Sequence, residues 1–120
     1  IQAICQQIVT KMIKSIDVEV ICDAARPEAI AYLRENDINA TSCIKGSGSV
    51  KAQIEMMKDV KIFYTVESIN IAYELGKYAY PTKKDVNGIE YTLDDPIKMY
   101  DDLMDACRYG YCTPKLCNLI

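Results

Sequence analysis

Apolar and polar positions along the chain switch between a helical and an extended period. Residues 1–16 follow the spacing of an amphipathic helix, with apolar side chains at Ile1, Ile4, Cys5, Ile8, Met12 and Ile16. Three short runs rich in β-branched or aromatic residues predict strands, at 18–22, 40–44 and 61–66. Helical patterns begin near Pro27, near Ser49 and after Ser68, and the first should end at Asn36 or Asp37. This alternation predicts an α/β fold with parallel strands and crossover helices.

A hairpin and a closing helix are predicted after this alternation. Tyr78–Tyr80 and Ile89–Tyr91 flank an Asn-Gly pair at 87–88, which favours a type I′ turn. Asp95 is a favourable N-cap and Pro96 a favourable first helical residue, so a last helix is expected from there to about Tyr111. One face of that helix would be acidic, with Asp101, Asp102 and Asp105.

The length and composition of the chain predict one globular domain spanning residues 1–120. Half of its 120 residues are hydrophobic, which is enough for one buried core and leaves no room for a second domain of ordinary size. No apolar run approaches the roughly 18 residues that span a bilayer. The start of the chain interleaves Gln and Lys with aliphatic residues, unlike a secretory signal. We therefore expect a cytosolic protein that does not enter a membrane.

The chain has six cysteines and no histidine. The cysteines are scattered among apolar residues without a Cys-x-x-Cys pair, which favours reduced thiols over a disulfide framework or a zinc site. Without histidine, a Ser-His-Asp or Cys-His nucleophile is excluded.

The charges are segregated along the chain. A net charge of −3 and a pI near 4.9 argue against a self-sufficient nucleic-acid-binding domain. Residues 45–84 nevertheless hold seven lysines and four acids, whereas residues 85–105 hold seven acids and one lysine. A basic part of the chain is thus followed by an acidic cluster.

Two sets of acids are candidates for metal chemistry. Asp23 follows the first predicted strand, at the edge where open α/β sheets bind ligands, although an N-cap of the next helix is an equally ordinary role for it. Asp101, Asp102 and Asp105 repel one another unless a divalent cation binds them, and they could equally form a solvated face or, through Asp105, an ion pair with Arg108.

The glycine-rich stretch 45–51, KGSGSVK, is basic and opens a helix. Amides at a helix start favour anions, but the order of a nucleotide-binding P-loop is absent. The stretch therefore predicts either a contact with a nucleic-acid backbone or an ordinary capped turn.

Two motifs resemble the nuclease domain of the large terminase subunit of tailed phages and prophages. Residues 21–30, ICDAARPEAI, are similar to that family's strand-borne aspartate followed by a small residue, a proline and a helix. Residues 105–109, DACRY, resemble its closing Asp-Ala-x-Arg-Tyr signature. Between them, NDINA at 36–40, KGSGSV at 45–50 and the Glu74-Leu75 pair with Tyr78 come in the family's order.

The resemblance implies a ribonuclease H-like α/β fold, with a mixed sheet flanked by helices and a β-hairpin before the last helix. It implies an endonuclease that cuts concatemeric phage DNA during genome packaging with Mg²⁺ or Mn²⁺. Asp23 and Asp105 would hold the metal, and Asp102 would be a third ligand. Lys45 and Lys51 would contact the phosphates of double-stranded DNA.

The resemblance also implies a larger protein. In that family a first metal-binding aspartate precedes the opening helix, and here no acid precedes Asp17. We therefore expect this chain to be the C-terminal portion of the nuclease domain, without the upstream strand and the ATPase domain, and to be inactive alone. The partners would be DNA, the ATPase domain, the small terminase subunit and the portal, in the cytoplasm of the bacterial host.

Two other functions remain open on the sequence. The chain could be a non-catalytic α/β interaction or remnant module, whose acids are caps and solvated charges. It could also belong to another ribonuclease H-like nuclease, such as a junction resolvase, which would prefer branched DNA.

Overall fold

The computed structural model describes residues 18–46 and 48–117, which form a mixed α/β structure. The predicted opening helix over 1–16 lies outside these residues. The described strands are β1 (Val20–Cys22), β2 (Ala40–Ser42), β3 (Thr82–Lys84) and β4 (Glu90–Thr92). The described helices are α1 (Pro27–Glu35), α2 (Ser49–Met57), α3 (Ile69–Lys77) and α4 (Asp102–Cys117).

The β1-α1-β2 unit is a parallel strand pair with a crossover helix, as the apolar pattern predicts. β1 and β2 pair in parallel from Val20 opposite Ala40 to the end of both strands. Ile30 and Leu33 of α1 pack with Ile38 and Ala40 into the main buried core. α4 lies against β1 and against both α2 and α3, so it joins the two ends of the described chain.

The end of α1 is the one that the Asn36-Asp37 pair predicts. Asp37 takes a left-handed φ of 63°, and its N–H donates to Arg34 O at 3.1 Å. The N–H of Ile38 donates to Leu33 O at 3.0 Å. These two bonds form a Schellman motif, which satisfies the last carbonyls of the helix and turns the chain towards β2.

The predicted strand at 61–66 is wrong. This segment has no strand partner among the described residues, and Phe63 and Val66 are 88% and 89% exposed. Aromatic and β-branched residues favour a strand only where a sheet edge and a packing surface receive them. As a result the described residues form two separate two-stranded sheets, and the expected single mixed sheet is not seen there.

β3 and β4 pair antiparallel, with Thr82 opposite Thr92. The first predicted arm, at 78–80, therefore lies upstream of the observed strand. The predicted type I′ turn is also wrong, because only Gly88 of the Asn-Gly pair has a positive φ, 76°. Instead the Asp85 carboxylate accepts the N–H groups of Asn87 and Ile89, both at 2.9 Å, and fixes a longer loop.

α4 begins six residues later than predicted, at Asp102 instead of Pro96. The carboxylate of Glu74, from α3, accepts the N–H groups of Leu103 at 2.7 Å and Met104 at 3.1 Å. A side chain distant in sequence thus satisfies the free amides of the first turn, and this contact decides where the helix starts.

The residues before α4 are irregular, which changes the predicted acidic face. Tyr100 has a left-handed φ of 55°, so Asp101 precedes the helix instead of lying within it. The helix also continues past the predicted end at Tyr111, through Pro114 to Cys117. The direction of the Asp101 side chain is therefore not set by helical geometry.

The cysteines of the described residues are free thiols, and Cys43 and Cys112 are buried. Cys5 lies outside the described residues. In the part of the chain that the structure describes, no helix has the length and apolar character needed to cross a bilayer.

Candidate functional site

A cavity of about 340 Å³ lies where the end of β1, the loop before α2 and the start of α4 meet. Charged side chains from all three regions line it, namely Asp23, Lys45, Lys98, Asp101, Asp105 and Arg108. Asp23 and Asp105 are 82 residues apart in sequence and face the same cavity. The two acids with the strongest sequence signal are therefore brought together.

Asp23 stands in the turn directly after β1. Its carboxylate accepts a hydrogen bond from Lys45 Nζ at 2.5 Å and one from Ala25 N at 3.0 Å. Arg26 occupies the N-cap position of α1 and makes no side-chain cap hydrogen bond, so the capping role considered for Asp23 is not observed. The hydrogen bond from Lys45 lowers the pKa of Asp23 below its ordinary value, and the same bond raises the pKa of Lys45.

Asp105 lies in the first turn of α4 and pairs with Arg108 one turn later. Its Oδ1 accepts a hydrogen bond from Arg108 Nη2 at 3.2 Å. Arg108 is only 4% exposed. Burial opposes its charge, but the hydrogen bond and the negative charge of Asp105 outweigh burial, so the pKa of Arg108 is raised. The ion pair considered from the sequence is thus present, and it lies inside the site.

The buried amide of Gln53 supports Arg108. Gln53 Oε1 accepts a hydrogen bond from Arg108 Nη1 at 2.7 Å, and the side chain is 2% exposed. Sequence reasoning missed this residue. The available signal was a polar residue among the apolar positions of α2, next to Ile54 and near Val50 and Met57.

The structure places Asp101 in the cavity, whereas Asp102 is exposed and is not among the lining residues. Burial, followed by the negative charge of Asp105, raises the pKa of Asp101. Asp101 lines the cavity and Asp102 does not because the backbone before α4 is irregular. In a helix capped by Asp95, both side chains would point in different directions from those observed. Asp101 belongs to the predicted acidic face, but the resemblance favoured Asp102 as the third ligand.

The two lysines predicted to contact DNA are separated. Lys45 lines the cavity, with its Nζ 5.7 Å from the centre of the buried Tyr109 ring. Lys51 does not line it and pairs instead with Asp94 at 3.4 Å on the exposed surface. Lys45 is therefore part of the site, and Lys51 lies beyond its rim.

The chemistry of these residues fits part of a divalent-cation site. Carboxylate oxygens are the ligands that hard cations such as Mg²⁺ prefer, and three carboxylates face this cavity. Within residues 18–46 and 48–117, however, no three acidic or thiol side chains are close enough together to hold a metal ion. Asp23 and Asp105 each form an ion pair with a basic side chain. The described residues therefore supply carboxylate ligands but do not surround a single ion with them.

No protein-family model and no curated protein matches the sequence. Among solved structures, the chain is similar to the crystal structure of the g2p large terminase nuclease domain from bacteriophage SPP1 with bound Mn. The TM-score is 0.68 at 22% sequence identity. This chain has the fold of a large terminase nuclease domain. The alignment covers 92% of this chain and 61% of the SPP1 chain, so the present sequence spans about three-fifths of its neighbour.

Proposed function

We propose that this chain is part of a metal-dependent DNA endonuclease that cuts concatemeric phage DNA during genome packaging. The observation that carries the proposal is the meeting of Asp23 and Asp105 in one cavity. They meet in the fold of a nuclease domain that was crystallised with Mn. Both acids belong to the motifs that resemble the terminase family.

Asp23 and Asp105 are the proposed ligands of Mg²⁺ or Mn²⁺. Asp102 is the third ligand implied by the resemblance, and Asp101 is its competitor because it lines the cavity. When bound, a divalent cation would lower the pKa of a water and stabilise the attacking and leaving oxygens of the phosphodiester. Asn substitutions at positions 101 and 102, compared for metal affinity, decide which of the two acids assists.

The chain's own basic residues have separate tasks in this proposal. Arg108 is buried and orients the Asp105 carboxylate. Lys45 is exposed enough to exchange Asp23 for a backbone phosphate of double-stranded DNA, and Lys51 would hold a phosphate further along the strand. Both lysines position the DNA and carry no sequence information.

The remaining partners follow from the terminase resemblance. We propose that the nuclease domain continues upstream of this chain, where a further metal-binding aspartate and the ATPase domain would lie. The neighbouring nuclease domain is longer than its aligned part, since the alignment covers 61% of it. The assembled protein, from a phage or prophage, would act with the small terminase subunit and the portal in the host cytoplasm.

The test is substitution in the full-length protein. Asp23→Asn and Asp105→Asn should each abolish cleavage of linear DNA in Mg²⁺ or Mn²⁺ while ATP hydrolysis continues. Asp59→Asn, an exposed acid outside the cavity, is the matched control and should cut normally. Unchanged cutting by either site variant would remove that residue from the mechanism.

A non-catalytic interaction module is the second candidate. Its support is that Asp23 and Asp105 are both ion-paired and that the described residues hold no ready cluster of three ligands. It predicts no Mn²⁺ binding even in the full-length protein. A junction resolvase would bind the metal but would cut branched DNA in preference to linear DNA, which a competition assay separates.

A further inference from the structure

Gln53 connects the two ion pairs of the site through one buried amide. Its Oε1 accepts from Arg108 Nη1 at 2.7 Å, and its Nε2 donates to Ile44 O at 3.0 Å. Ile44 directly precedes Lys45, which holds Asp23, while Arg108 holds Asp105. The link therefore joins the loop behind one acid to the cation behind the other.

This arrangement requires an amide at position 53. A buried polar side chain is tolerated only when its donors and acceptors are satisfied, and Gln53 has an acceptor for Arg108 and a donor for the carbonyl of Ile44. An apolar residue would supply neither group. A glutamate would place a second acid against Arg108 and an oxygen against the oxygen of Ile44.

Arg108 depends on this contact for its direction. Among the described residues, its Nη1 bonds to Gln53 and its Nη2 to Asp105, while its Nε is buried without a partner. The guanidinium is thus oriented by two hydrogen bonds, and its Cζ lies 4.8 Å from the centre of the Tyr109 ring. Loss of the bond to Gln53 would free it to turn away from Asp105.

The backbone around Gln53 is also fixed. Cys112 Sγ lies 3.5 Å from Gln53 O, and the N–H of Ile44 donates to Thr113 Oγ1 at 3.1 Å. Both partners are buried residues of α4. The backbone of Gln53 and the backbone of Ile44 are therefore each bonded to α4, which fixes the main chain on both sides of the Gln53 side chain.

We propose that Gln53 is a positioning residue of the nuclease site, which orients Arg108 and thereby sets the carboxylate of Asp105 for the metal. The inference rests on the proposed function for its metal-binding consequence. Residues that orient metal ligands commonly change metal affinity about 10- to 100-fold when they are replaced.

The experiment compares Gln53→Met and Gln53→Asn with Thr113→Val in the full-length protein. Methionine has a similar length without the amide, and asparagine keeps the amide but is one methylene too short for both bonds. Thr113→Val removes the other bond to Ile44 from a residue that is as buried, 4% exposed, without touching Arg108. It controls for a general loss of stability and for a shift of the Ile44-Lys45 loop, and leaves the contact between Gln53 and Arg108 in place.

Two measurements are made on each protein. Nitrogen-15 NMR of labelled arginine reports whether rotation of the Arg108 guanidinium is restricted, which gives separate Nη1 and Nη2 signals. Calorimetric titration with MnCl₂ reports metal affinity. We expect resolved signals in the unsubstituted protein and in Thr113→Val, merged signals in both Gln53 variants, and Mn²⁺ binding at least about tenfold weaker in those two variants only.

The outcomes separate the two proposals. A freely rotating Arg108 in the unsubstituted protein, or resolved signals in a folded Gln53 variant, would overturn the positioning role. Equal weakening of Mn²⁺ binding by Thr113→Val would also overturn it, since the effect would then be general. An unsubstituted protein that does not bind Mn²⁺ but shows the expected NMR changes would refute the metal site and leave the orientation of Arg108 intact.

Discussion

Replacing Glu74 with alanine removes the carboxylate that caps α4. That carboxylate is half-buried and accepts two amides of the first helical turn, at 2.7 and 3.1 Å. Loss of a capping side chain costs about 0.5–2 kcal/mol, and a negative charge at a helix N-terminus adds about 0.3–1 kcal/mol. With two amides left without their partner, we expect a loss of about 2 kcal/mol in the free energy of unfolding.

For a chain of 120 residues the loss expected for Glu74→Ala corresponds to a decrease of about 8 °C in Tm. Glu74→Gln keeps one acceptor oxygen without the charge and should lose about half as much. Urea denaturation and calorimetry measure both values. The control is Glu67→Ala, an exposed acid in the connection before α3, which should change stability by less than about 0.5 kcal/mol. If Glu74→Ala is no more destabilised than this control, the capping argument is refuted.

Three other substitutions test the electrostatics and the backbone. Lys45→Met should raise the pKa of Asp23 towards its ordinary value, measured by carbon-13 NMR. An unchanged titration of Asp23 would contradict the role given to Lys45. Because the folded pKa of Asp23 is lowered, the pair stabilises the protein above the ordinary aspartate pKa, and this stabilisation is lost as the pH falls through the folded pKa. Asp101→Asn should stabilise the protein at neutral pH, because the raised pKa means that ionisation costs stability. That gain should vanish in urea denaturation near pH 3 (about one unit below the ordinary value), and a gain that persists there would be inconsistent with it. Gly48→Ala should lower the free energy of unfolding by about 1 kcal/mol in the same assay, because the φ of Gly48 is +71°. Gly46 has equally open space around it and no such φ, so Gly46→Ala should cost less. Equal losses in the two variants would refute the backbone strain at Gly48.

The parts of the fold that local sequence determines were predictable. The β-branched run of β1, the proline that starts α1 and the Asn36-Asp37 pair that ends it are signals within a few residues of the structure they specify. The start of α2 at Ser49, after the glycine-rich stretch, is equally local.

The start of α4 was not predictable in this way. Asp95 and Pro96 are ordinary signals for a helix start, but Glu74 satisfies the amides of a start six residues later. Glu74 lies 29 and 30 positions before the two residues whose amides it accepts, so a tertiary contact overrides the local signal. The predicted strand at 61–66 is wrong for the opposite reason: the segment has strand propensity, but none of the described strands pairs with it.

The candidate site was predictable as far as the motifs reach. Asp23, Asp105 and Lys45 are indicated by the sequence and all line the cavity, whereas Asp102 and Lys51 do not. Asp101 could not be preferred to Asp102 from the sequence, because its direction depends on the late start of α4. Gln53 was missed because its role exists only once the fold brings its two partners to it.

Anomalous diffraction from crystals of the full-length protein grown with MnCl₂ shows directly whether Asp23 and Asp105 bind the metal. We expect an Mn²⁺ peak in the cavity, with oxygens of Asp23 and Asp105 at about 2.0–2.4 Å, and loss of that peak in Asp105→Asn. An empty cavity at saturating Mn²⁺, or a peak that survives this substitution, would contradict the assignment of these two carboxylates as the metal ligands of a nuclease.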